Sequence, residues 1–179
     1  MHSLGALFAV LLASNSNNVE FLKQRLLIGY DAAAEATSFL EDQEYEKASR
    51  SFADALNLGR KPALKLQELD DEETKQEALQ WLIDVCCDSA LLHLVHLEDL
   101  DSARKDAFAA LVFSQYEQLK PLQCMIKVCE KGDDLFGEFQ ALQRVLQLPT
   151  EEMEDDDQRK AISDRLEEIE ALLSNSKNE

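Results

Sequence analysis

Apolar and small side chains recur every three or four residues through most of the chain, and short polar stretches separate these segments. This spacing predicts amphipathic helices, because it places the apolar side chains along one face of each helix. Seven helices are predicted, and an apolar run at residues 4–13 adds an eighth. Their approximate spans are 18–40, 45–58, 74–94, 101–113, 121–131, 135–148 and 162–173. No alternating strand pattern interrupts them, so the predicted fold class is all-α.

Turn-forming residues suggest where several helices end. Gly59 is a natural C-terminal stop and Pro62 reinforces it. Gly132 with its following aspartates breaks the chain again, and Pro121 fits the first turn of a helix. The polar stretch 14–18 is expected to end the N-terminal apolar run.

Three of the helices share an internal repeat of small and apolar positions. The repeated segments begin at Tyr45, Leu100 and Leu135, and the last two starts are 35 residues apart. A helix–turn–helix unit of about 34 residues accounts for that spacing, whereas the first interval of 55 needs an insertion of about 21 residues. Buried alanines in the first two segments would let helices approach closely: Ala48, Ala55, Ala103 and Ala110. The pattern predicts stacked antiparallel helix hairpins, with a final capping helix that shields the last one.

On these residues the chain resembles the tetratricopeptide-repeat family, over about residues 30–148. Phe39, Tyr45, Ala48, Phe52 and Ala55 match the repeat pattern, and the arrangement is similar to the three-repeat domains of co-chaperones and large immunophilins. The third repeat departs from the pattern, because a glutamate stands at position 138 where a small residue is expected. The resemblance implies a superhelical domain over 19–150 with an acidic insertion near 60–75. An N-terminal segment, 1–18, precedes it, and an acidic linker with the capping helix, 151–179, follows.

In this family the first helix of each hairpin lines a concave groove that receives a peptide. The resemblance places ten residues of this chain in such a groove: Tyr30, Thr37, Asp88, Leu92, Val95, His96, Lys120, Gln123, Lys127 and Lys131. Family members that grip chaperone tails use a clamp of two Asn, two Lys and one Arg. Only Lys127 keeps a positive charge at the corresponding positions, so the resemblance does not imply binding of a chaperone tail.

The groove positions suggest two kinds of partner. Lys120, Lys127 and Lys131 share one helix face and could anchor an acidic peptide, or they could form a solvated face paired with Glu117 and Glu130. The apolar positions in the second repeat, Leu92 and Val95 among them, suit an amphipathic helix, or they belong to the core.

Charge narrows the partner class further. The formal net charge is −18, which argues against nucleic acid and against anionic membrane surfaces. The partner is therefore expected to be a protein or peptide with an acidic or amphipathic segment, and no direct membrane insertion is expected. The absence of any Asn-x-Ser/Thr acceptor leans towards a reducing compartment, here the cytoplasm. Residues 4–13 are either a helix packed on the domain or a targeting segment, which would imply a secretory or organellar location.

No catalytic, metal-binding or cofactor-binding motif is found. Phosphate-loop, HExxH and GxSxG patterns are all lacking. His93 and His96 lie three residues apart on a helix, without the inward-facing Glu-x-x-His pairs from two helices that a di-metal bundle needs. The four cysteines, Cys86, Cys87, Cys124 and Cys129, are interpreted as buried thiols. Three hypotheses remain: a peptide-binding adaptor, which leads; a structural subunit of a larger assembly; and, weakest, a metal-dependent helical enzyme.

Overall fold

The computed structural model describes residues 4–69, 71–149 and 156–175, and of residues 4–17 and 156 the backbone alone. Within these ranges the chain is helical and contains no strand. The helices are α1 (Leu4–Glu41), α2 (Tyr45–Leu66), α3 (Glu72–Val95), α4 (Leu100–Phe113), α5 (Leu119–Lys131), α6 (Leu135–Gln147) and α7 (Asp156–Asn175). Of the predicted acidic run 151–157, residues 151–155 lie outside the described residues, and the last two belong to α7.

The chain divides into two compact units, residues 1–82 and 83–179. In the first unit α1 packs along α2. In the second unit α5 packs against both α4 and α6, and α7 packs on α6. Helices therefore pack in consecutive pairs, which confirms the predicted all-α, repeat-like fold.

Fully buried alanines lie where the helices meet. Ala48 and Ala55 in α2, and Ala103 and Ala110 in α4, are each 0% exposed. A methyl group is the largest side chain that permits such close helix approach, so these positions determine how tightly each hairpin closes.

The predicted helix end at Gly59 is wrong. Helix α2 continues through Gly59 and Pro62 to Leu66. Gly59 serves a different purpose, since a Cβ atom added there would lie 2.2 Å from the Trp81 ring, and one added at Gly29 would lie 3.0 Å from the Gly59 Cα. The glycines allow α1, α2 and the indole to come together.

The predicted break at residues 14–18 is also wrong, because α1 runs without interruption from Leu4 to Glu41. Five consecutive Ser and Asn residues lower helix propensity but do not forbid helix. The side-chain packing of residues 4–17 lies outside the described residues, so the choice between a packed helix and a targeting segment stays open.

The extra residues of the first interval are taken up as helix length. Helices α2 and α3 have 22 and 24 residues, whereas α4, α5 and α6 have 13 or 14. Two side-chain hydrogen bonds lie at the junction of these two long helices. The Gln67 side chain donates to the Lys75 carbonyl oxygen at 2.9 Å, and the Asp71 carboxylate accepts from the Thr74 backbone N–H.

Among the described helices, α3 is long and apolar enough to cross a membrane by length and composition. More than half of its most apolar window, 56%, is buried within the protein. Burial of this kind is typical of a core helix in a folded domain.

Candidate partner-binding site

The two predicted groove residues of the first unit have local partners. The ring of Tyr30 packs edge-to-face against Trp81, with centroids 4.9 Å apart. Burial, and then the nearby Glu77 carboxylate, raises the pKa of Tyr30. Thr37 is exposed, and its hydroxyl donates to the Ala33 carbonyl oxygen at 3.1 Å. Tyr30 thus contributes to packing, and Thr37 faces solvent.

Helix α3 and the turn after it place the four predicted residues of the second repeat in different environments. Leu92 is 2% exposed and lies in the core, not on a contact surface. Val95, at 61% exposed, and His96 lie at the open end of the helix. Asp88 is half-buried and pairs with a lysine of α5.

The predicted basic stripe on α5 is partly neutralised. The Nζ atom of Lys120 lies 2.7 Å from Asp84 Oδ1 and 3.2 Å from Asp88 Oδ1. Burial lowers the pKa of Lys120, but the two aspartates outweigh it and the pKa is raised. Lys127 and Lys131 are exposed and form no ion pair within the described part of the chain. Gln123 is half-buried beside them, so two of the three lysines remain available to a partner.

A serine, an aspartate and a histidine meet between α3 and α4, but not as a catalytic triad. Ser89 Oγ donates to Asp106 Oδ2 at 2.7 Å, and His93 Nδ1 lies 3.1 Å from the same oxygen. A triad needs the serine hydroxyl on the imidazole, with the carboxylate behind it. Here both groups bind the carboxylate, so the cluster joins two helices. Among the described residues, no three His, Cys, Asp or Glu side chains are grouped to hold a metal ion.

The four cysteines are free and buried, as predicted. The thiol of Cys124 lies 3.8 Å from the carbonyl oxygen of Cys87. The hydrogen bond with Cys124, and then burial, raises the pKa of the Cys87 thiol well above its usual value. A buried, protonated thiol is a weak nucleophile.

An open groove lies between α4 and α6, with α5 as its floor, and we call it the α4–α6 groove. Its volume is about 780 Å³. The floor and lower walls are apolar and include Leu111, Leu122, Met125, Cys129 and Ala141. Phe108, 54% exposed, stands on the α4 wall. An exposed aromatic beside an apolar floor is characteristic of a protein-binding surface.

Polar contacts between α4 and α6 bound the two ends of the α4–α6 groove. At the N-terminal ends of both helices, Arg104 Nη2 lies 3.8 Å from Asp134 Oδ2. At the C-terminal ends, Arg144 Nε donates to the Tyr116 carbonyl oxygen at 2.9 Å. Because like ends are joined, α4 and α6 run in the same direction along the groove. These contacts hold the walls apart at a fixed spacing.

The backbone at one end of the α4–α6 groove is strained. Gln115 and Tyr116 have φ values of 54° and 62°, in the left-handed region that side chains other than glycine rarely adopt. Both residues line the groove. Single residues with positive φ also follow other helices, at Gln43, Glu98 and Asp133, whereas two in succession occur among the described residues only at this end of the groove. Each such residue costs about 1–3 kcal/mol. The conformation brings the Tyr116 carbonyl oxygen to Arg144 and closes the end of the groove.

The α4–α6 groove was not predicted from the sequence, because the family resemblance places the binding surface on the first helix of each hairpin. One signal was present. Asp101, Lys105 and Phe108 recur along α4 at helical spacing and include an exposed aromatic. Gly137 was another, since glycine is unfavourable within a helix unless space is needed there. A Cβ atom at that position would lie 2.9 Å from the Cys129 sulfur.

No model of a known protein family matches this chain, and no curated protein matches it.

Proposed function

We propose that this chain is a non-catalytic protein–protein interaction module of the tetratricopeptide-repeat type, which binds a peptide or helix of a partner protein. The observation that supports this most directly is the α4–α6 groove, with its apolar floor and exposed Phe108. Grooves between helices bind amphipathic segments by burying their apolar face. The consecutive packing of short helix hairpins supplies the rigid walls that such binding needs.

The charged groups around the α4–α6 groove support binding in preference to catalysis. Arg104 pairs with Asp134, and Asp134 Oδ1 also accepts the Gly137 backbone N–H at 2.9 Å. Arg144 is engaged by a carbonyl oxygen and by Gln147. Groups held in these contacts fix helix ends and helix spacing, and the groove floor between them offers apolar contact area.

The exposed face of α5, the first helix of the third predicted hairpin, would supply a further contact, and we call this face the first-helix surface. Lys127 and Lys131, with Gln123 beside them, present a basic strip on α5 in a chain of strongly negative net charge. An acidic segment of a partner would be attracted to it, chiefly through the association rate. The proposal therefore describes a cytoplasmic adaptor, similar in role to a co-chaperone.

The experiment that tests this function is affinity capture from the native cell, with quantitative mass spectrometry of the retained proteins. Wild type is compared with Phe108→Ser and with a matched control, Phe136→Ser. Phe136 is 60% exposed on α6 and does not line the groove. We expect one dominant partner that is lost with Phe108→Ser and retained with Phe136→Ser. A fixed set of proteins retained equally by all three baits would contradict the proposal.

A second candidate, a constitutive structural subunit of a larger assembly, is supported by one observation. Phe21, Leu27 and Ile28 on α1 are each about half exposed, at 53%, 55% and 48%. Apolar side chains grouped on one helix mark a further interface. This candidate predicts that Phe21→Ser, and not Phe108→Ser, releases the retained proteins in the same capture experiment.

A further inference from the structure

We infer that the α4–α6 groove holds about three turns of an amphipathic helix from a partner protein, with acidic side chains of that helix facing Lys105 and Arg144. The inference rests on the proposed function and specifies its site and the chemistry of its partner. It places the principal contact on the second helices of the hairpins and not on the first-helix surface.

The length of the groove determines the length of the bound segment. Its wall residues extend from Asp101 to Leu111 on α4 and from Asp134 to Arg144 on α6. Ten residues of helix rise about 15 Å, which equals roughly three turns of a bound helix. The Arg104–Asp134 and Arg144–Tyr116 contacts lie across the two ends of the groove, so a longer segment could not be buried in it.

The cross-section of the groove fits a helix with one apolar face. Helix α6 presents small residues to the groove, Gly137 and Ala141, four positions apart. Opposite them stands Phe108, and Met125 lies on the floor. Apolar side chains at positions i, i+3 or i+4 and i+7 of a bound helix would rest on this floor. The flexible thioether of Met125 adapts to side chains of different shape.

The charges on the walls select an acidic helix. Lys105 is exposed and forms no ion pair within the described chain. Within the described residues Arg144 donates to neutral oxygens, those of Tyr116 and Gln147, and no described carboxylate balances its charge. Asp101 and Asp134 line the half of the groove that contains Lys105, where Arg104 lies 3.8 Å from Asp134 and offsets its charge. The lining thus carries three cationic side chains against two carboxylates, and acidic residues of the bound helix face Lys105 in one half and Arg144 at the other end.

The test is selection of helical peptides by display on the purified full chain. A library of helix-forming 14-residue peptides is selected against wild type and counter-selected against Phe108→Ser. We expect a consensus with apolar residues three and four apart, flanked by Asp or Glu at positions that can face Lys105 and Arg144. Dissociation constants of the leading peptide are then measured by fluorescence anisotropy for Lys105→Glu, for Lys127→Glu and for a matched control, Lys61→Glu, which changes an exposed lysine of the first unit. Lys105→Glu should weaken binding about tenfold and more than Lys127→Glu does, and Lys61→Glu should leave it unchanged.

Exchange of the peptide's acidic residue for lysine should restore binding to Lys105→Glu. Uncharged or basic peptides that still require Phe108 would overturn the inference and leave the proposed function intact. Peptides that lose affinity with Lys127→Glu and tolerate Lys105→Glu would move the site to the first-helix surface. That result would also overturn the inference and leave the proposed function intact. If no peptide depends on Phe108 or on Lys127, both the inference and the proposed function fail.

Discussion

The carboxylate of Glu138, 1% exposed, receives two hydrogen bonds from the guanidinium of Arg165. Arg165 Nε lies 2.7 Å from Oε1, and Nη2 lies 3.1 Å from Oε2. These bonds raise the pKa of Arg165, to which Glu168 also contributes. Glu138 occupies the position where the first two repeats have Ala48 and Ala103, so the departure in the third repeat is the attachment point for the capping helix α7.

Removal of the Arg165 guanidinium alone should destabilise the protein more than removal of both the guanidinium and the Glu138 carboxylate. In Arg165→Ala the buried Glu138 carboxylate loses its partner, and we expect the free energy of unfolding to fall by about 2–3 kcal/mol. Chemical denaturation measures it. The double variant Glu138→Ala/Arg165→Ala restores the small residue of the other repeats and should lose less. Equal losses for the single and double variants would contradict the pairing.

Alanine at position 59 should destabilise the first unit although alanine is the better helix former. The gain in helix propensity is about 1 kcal/mol. The new Cβ would lie 2.2 Å from the Trp81 ring, which must then move. We expect Gly59→Ala to lower the free energy of unfolding by about 1–3 kcal/mol.

The control removes the indole. In the Trp81→Leu background, the further change Gly59→Ala should cost less than it does in wild type, because the ring that it meets is gone. An identical cost in both backgrounds would show that Trp81 is not the obstacle.

The helix boundaries and Gly59 show what the sequence could and could not predict about the fold. Helical periodicity located α4, α5 and α6 to within two residues at each end, because each is short and bounded by polar turns. Gly59 was taken as a helix end, since glycine usually has that role. Its actual function depends on Trp81, 22 residues further along the chain, and local patterns do not contain that contact.

Overpacking at a hairpin contact provides a third prediction. Ala103 is 0% exposed, and leucine there should cost about 1–3 kcal/mol in unfolding free energy. The exposed Ala53 on α2 is the matched control, and Ala53→Leu should change stability by less than about 0.5 kcal/mol. A neutral Ala103→Leu would contradict the close helix approach that the structure shows.

Cys129 predicts a pH dependence in the alkaline range. Burial, and then the Asp134 carboxylate, raises the pKa of its thiol from the usual 9.0 to about 11. The protonated thiol is therefore favoured in the folded chain. Its contribution to stability is complete below the unfolded pKa and is lost as the pH rises from about 9 to about 11.

Denaturation of wild type and Cys129→Ala from pH 7 to pH 11 measures this effect. The difference in unfolding free energy between the two should be constant below pH 8.5 and should shift above pH 9, where wild type loses stability more steeply. Parallel curves across the whole range would show that Cys129 has an ordinary pKa in the folded protein.

The candidate site was less predictable than the fold. The positions implied by family resemblance include Leu92, which is buried, and Lys120, which two aspartates of α3 already engage. Sequence spacing identifies residues on the same face of a helix, but it does not tell which face a neighbouring helix covers. The α4–α6 groove exists because α5 contacts both walls and leaves a gap between them, and that is a property of three packed helices.

The most direct test of the central claim, that the α4–α6 groove binds a partner protein, is site-specific photo-crosslinking in the native cell. A benzophenone amino acid replaces Phe108 in one strain and Phe136 in another. The proposal predicts that irradiation joins position 108 to one partner, within a helical segment that mass spectrometry identifies, and that position 136 gives little product. Equal crosslinking from both positions, or none from position 108 with efficient crosslinking from position 136, would contradict it.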